Sequence, residues 1–65
     1  MDYKVLAHLI SEIDKLRDDQ ATFLNGGGAK DFAEYRHICG VIRGLTHAEQ
    51  LVRNLVQKME NYEDE

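Results

Sequence analysis

The sequence has no proline and no tryptophan, a single cysteine and a single serine among its 65 residues, and fewer basic than acidic side chains. Each shortage excludes something. One cysteine makes no internal disulfide and falls short of a structural zinc set built on several thiolates. With Ser11 as the one serine, no serine–histidine–carboxylate constellation is expected. No apolar run approaches the roughly 20 residues of a membrane span, and the first residues lack the basic and apolar regions of a signal peptide. The expectation is a cytoplasmic chain, not secreted and with no membrane partner. Eight Lys and Arg against twelve Asp and Glu leave a net charge of −4. Binding to duplex nucleic acid would therefore release few counterions, and no reading head or aromatic platform is evident.

Missing proline leaves glycine as the helix breaker, and glycine clusters at one place, Asn25-Gly26-Gly27-Gly28. Three adjacent glycines cost too much backbone entropy for a regular element, so a turn over 25–30 is expected, with Asn25 or Gly26 left-handed. Asp31, followed three residues later by Glu34, resembles a capping box that opens the next helix. Before the turn, Leu6, Leu9, Ile13, Leu16, Gln20 and Phe23 follow three-and-four spacing, widened by Tyr3, Ile10 and Leu24. After it, Tyr35, Ile38, Ile42, Leu45, Val52, Val56 and Met59 do the same, interrupted by Glu49. No stretch alternates as a half-buried strand does. The sequence predicts an all-α fold in one domain, residues 1–65. Its parts are a helix over about 3–24, a helix over about 32–61 and an acidic tail at 62–65, folded as an antiparallel two-helix hairpin. So short a chain, without disulfide or metal, is expected to complete its core by oligomerising into a helical bundle.

The arms are unequal, roughly 33 Å against roughly 45 Å. Folding about the glycines would set Leu6 near Glu49 and Tyr3 near Val52. Leu55, Val56, Met59 and Tyr62 would then lie beyond the first helix, without an intrachain partner. Gly40, Gly44 and Ala48 draw a small-residue stripe that admits a close helix crossing. Together with Leu51 and the four overhanging residues, they form the expected partner or oligomer interface.

A second stripe, Arg36, Arg43 and His47, is locally basic and suits an anion, either a small phosphorylated ligand or neighbouring carboxylates. Glu34 and His37 have the spacing of di-iron carboxylate bundles, but no helix-1 Glu lies at their height; Glu12 would sit opposite Arg43. His8, His37 and His47 share no zinc spacing, and Cys39 reads as a small filler of the apolar side. No catalytic residue, metal site or cofactor is expected, and a two-helix hairpin encloses no pocket of the size catalysis uses.

The run Lys30 to Leu45 is the most distinctive in the chain. Asp31, Ala33, Glu34 and Tyr35, followed by Gly40, Gly44 and Leu45, resemble a segment of the small acidic helical-hairpin proteins of tailed bacteriophages. The resemblance implies a viral origin and a role near the structural proteins of the virion, in the infected cell or on the particle. It brings no catalytic motif and no binding residue. The leading expectation is a non-enzymatic interaction protein that self-associates or docks on a larger assembly through the second helix. The alternatives are a phage-encoded inhibitor acting on a host defence factor, a sequestering protein for a phosphorylated ligand, and a dimeric ferritin-like metal binder.

Overall fold

The computed structural model describes residues 3–64, with side chains from 3 to 61. Two helices, α1 (Lys4–Asn25) and α2 (Phe32–Asp64), pack against each other as an antiparallel hairpin, with no strand among the described residues. The shape is a rod of 52 × 16 × 12 Å. Its radius of gyration of 15.3 Å compares with about 11 Å for a compact domain of this length. No helix is long and apolar enough to cross a membrane, among the described residues.

The turn is built by backbone hydrogen bonds. Gly28 N–H donates to Phe23 O at 2.9 Å and Gly27 N–H to Leu24 O at 3.0 Å, the paired closure that ends a helix with one left-handed residue. That residue is Gly27, at φ +76°; Asn25, expected in the role, is still helical, and Gly26 has φ −84°. Two conditions select glycine here. Gly27 needs the left-handed region, and a Cβ on Gly28 would stand 2.5 Å from the Phe23 ring. Asp31 Oδ1 accepts from Glu34 N–H at 2.8 Å, so half of the capping box forms. The Glu34 carboxylate turns instead toward Lys30 Nζ, 3.9 Å away.

At its far end α2 continues to Asp64, past the expected limit at Asn61. Nothing after Gly44 breaks a helix, and the glutamates of the tail are good helix formers.

Two expectations about register are corrected. Glu49 lies beside Arg17 (Nη1 to Oε2, 3.2 Å), three turns along α1 from Leu6. The link runs on to Asp31, so the pivot lies beyond the glycines. In addition, antiparallel side chains lean toward their own N-termini, each long one by about a turn. The apolar face of α1 is also rotated. Leu6, Ile10, Ile13, Gln20 and Leu24 turn inward, whereas Leu9, Leu16 and Phe23 are exposed. One neighbouring helix covers a narrower arc than the whole apolar stripe occupies. Only Ile13 and Ile38 are buried among the described residues.

Candidate functional site

The hairpin has two broad faces, and the ion pairs tell them apart. Arg17 reaches Asp14 Oδ1 at 3.0 Å and Glu49 Oε2 at 3.2 Å, and Arg53 reaches Glu49 Oε1 at 3.0 Å and Asp14 Oδ2 at 3.8 Å. Asp14, Arg17, Glu49 and Arg53 thus form a closed ring of alternating charge across the two helices. Glu49, the one break in the apolar spacing of α2, has a side chain only 13% exposed and sits between the two arginines. Sequence reasoning missed this ring. Its signal was present as Asp14 and Arg17 three apart and Glu49 and Arg53 four apart, both spacings that place charges on one helix face. Glu12, expected opposite Arg43, lies 3.7 Å from His8 on its own helix instead.

The Asp14–Arg53 pair places the ring on one flank of each helix, and both flanks open onto the same broad face. At about 100° per residue, Val5, Leu9, Leu16 and Phe23 fall on the opposite flank of α1. Gly40, Gly44, Leu51 and Leu55 fall on the opposite flank of α2. They share the second broad face. Val5 and Leu51 are each 70% exposed, and Leu9, Leu16, Phe23 and Leu55 are exposed as well. A Cβ added at Gly40 or Gly44 meets nothing within 4 Å, so this side of α2 is low and open.

The expected interface residues therefore divide. Gly40, Gly44, Leu51 and Leu55 lie on the open face, with Ala48 half-buried at its edge. Val56 and Met59, expected beyond the reach of α1, are half-buried along the stripe that Ile38 and Val52 occupy. The register of the ion pairs accounts for this, because it carries the start of α1 further along α2 than folding about the glycines would. The side chain of Tyr62 lies outside the described residues. Leu9, Leu16 and Phe23 were placed by their spacing on the inward apolar stripe and not foreseen as surface, and Val5 was not singled out at all. One helix alone does not say where its neighbour's coverage ends.

No protein family, curated protein or solved structure matches this chain.

The basic stripe is partly assembled. Phe32, Tyr35, Arg36, Cys39, Gly40 and Arg43 line an open cavity of about 430 Å³ on the outer side of α2, where the Phe32 and Tyr35 rings stack at 6.3 Å. His47 lies elsewhere, lining a separate hollow with Gln50 and Leu51. Arg36 and Arg43 are exposed, and among the described residues no carboxylate pairs with either. No group of three or more His, Cys, Asp and Glu side chains is placed to hold a metal ion, among the described residues. Glu34 is engaged with Lys30 and the N-cap.

Proposed function

We propose that this chain is a non-enzymatic helical interaction protein that completes its core by association, with its own kind or on a larger assembly such as a phage particle. The observation that carries the reading is an area. The hairpin exposes 5159 Å², about 900 Å² more than a compact monomer of its mass. That surplus is close to what one partner contributes to a stable protein–protein interface, about 800 Å². Ile13 and Ile38, the two buried residues among those described, are a small core, and the exposed face supplies the apolar surface that association would bury. The likeness of residues 30–45 to phage hairpin proteins supports the virion as the setting.

Sedimentation velocity across micromolar concentrations tests the self-associating form, which is expected to sediment as a dimer or larger. A folded monomer throughout would remove that form. Docking on a larger assembly would then be tested by recovery of the chain with purified particles.

A second reading is favoured by one observation, the cavity that joins Arg36 and Arg43 to a stacked aromatic pair. It is capture of a small phosphorylated ligand, as two guanidinium groups and an aromatic surface suit a phosphate beside a flat ring. Calorimetric titration with nucleoside phosphates should show binding that Arg43→Ala abolishes. Absence of heat across that series would exclude it.

A further inference from the structure

Resting on the self-association proposed above, we infer that the open apolar face is covered by a second copy of this chain. The two copies are related by a two-fold axis running along the helices, so that α1 of each lies over α2 of the other.

Area supports a second copy as the occupant. The surplus surface of about 900 Å² is of the size that one subunit contributes to a standard interface, and an isologous pairing covers it on both subunits at once. Relief supports the same arrangement. The α1 side of the face is raised by Leu9, Leu16 and Phe23, whereas the α2 side is lowered at Gly40 and Gly44, where no neighbour fills the Cβ position. An axis along the helices keeps every residue at its own height, so the register within the hairpin carries over to the interface. It brings Val5 and Leu9 of one copy within a turn of Leu55 and Leu51 of the other, and Leu16 over Gly44.

Charge selects between the two possible axes. The outer border of the α1 stripe is acidic, with Glu12 and Asp19, and the outer border of α2 carries Arg36, Arg43 and His47. Placing α1 over α2 sets the acidic border beside the basic one. An axis across the helices would set α1 over α1, like charge beside like, which is unfavourable where the borders meet. The ion-paired face offers nothing comparable, because its charges already satisfy one another within the chain.

The experiment uses the full chain. Leu16→Glu is expected to weaken dimerisation about 100-fold or more, since a buried leucine is lost at two symmetric places. Its helical circular dichroism should be retained at concentrations where both proteins are monomeric, because Leu16 is 55% exposed in the single hairpin. In a Cys39→Ser background, an oxidised mixture of Leu16→Cys and Gly44→Cys chains should yield a covalent dimer that neither chain forms alone. A wild-type dimer indifferent to Leu16→Glu overturns this face while leaving self-association standing. Crosslinking of Leu16→Cys with itself overturns the axis. A wild-type monomer at all concentrations overturns both this inference and the self-association on which it rests.

Discussion

The two broad faces of the hairpin are made by the same two helices over the same length, yet one is closed and the other is not. On the closed face, Asp14, Arg17, Glu49 and Arg53 neutralise one another at separations of 3.0 to 3.8 Å. On the open face, aliphatic and aromatic side chains stand in water beside bare glycines. The difference is one of specificity as much as polarity. An ion pair is satisfied at one height, so the ring fixes how far α2 slides along α1. Apolar contacts tolerate a turn of slippage and reward any cover that excludes water. The chain thus sets its internal register with charge and keeps most of its uncommitted aliphatic surface on the far side, Phe32 and Tyr35 lying apart on the outer side of α2.

The comparison breaks most readily at the seam between the faces. Ile38→Ala should remove about 2–5 kcal/mol by deleting a buried side chain and leaving a cavity. A 65-residue domain has about 3–10 kcal/mol in all, so much of the helical signal should be lost, as urea titration followed by circular dichroism would show. Leu51→Ala, on the open face, should stay within about 0.5 kcal/mol of wild type when measured on the monomer. Equal losses from the two changes would mean that the faces are not distinct.

The closed face comes next in size. Arg17→Ala should cost about 1–2 kcal/mol, because Glu49 is largely buried and keeps Arg53 alone as its partner. The same change should cost less in 1 M salt, where the ring is already screened. Changing Lys58, an exposed residue of α2, to Ala should cost nothing measurable in either buffer. A loss at Arg17 that salt leaves untouched would assign its role to packing by the side-chain stem rather than to the ring.

Both helices, the glycine turn and the Asp31 cap were legible because each is local. Three-and-four spacing, three adjacent glycines and an acidic side chain three residues before a free N–H act within a few residues of chain. The division of the apolar residues into inner and outer sets was not legible. Leu9 and Ile10 are equally apolar and one position apart, and which of them faces inward depends on how α1 is rotated against a helix some forty residues away. In the rotation observed the ring forms, Ile10 turns inward and Leu9 is exposed, and Glu49 looked like an interruption of the pattern until its partners were placed. The glycine stripe was visible in the spacing of Gly40, Gly44 and Ala48, and the fold leaves the Cβ positions of the two glycines open, but its use depends on what lies across from it, which one chain does not reveal.

Among the substitutions expected to change stability, Gly44→Ala gives the smallest effect and the sharpest contrast, because two measurements should move in opposite directions. Within the single hairpin an added Cβ meets nothing within 4 Å, so replacing a mid-helix glycine should stabilise the monomer by about 0.8 kcal/mol through helix propensity alone. Thermal melting in the Leu16→Glu background, where association is removed, isolates that gain. In the otherwise unaltered chain the same methyl group would stand where Leu16 of a second copy approaches, and the dimer should dissociate more readily by sedimentation. If the monomer gains stability and the dimer gains equally, no backbone comes close to Gly44, and the open face is covered elsewhere or by something flatter. If stability rises while association falls, the glycine is retained for its partner and at the expense of its own helix.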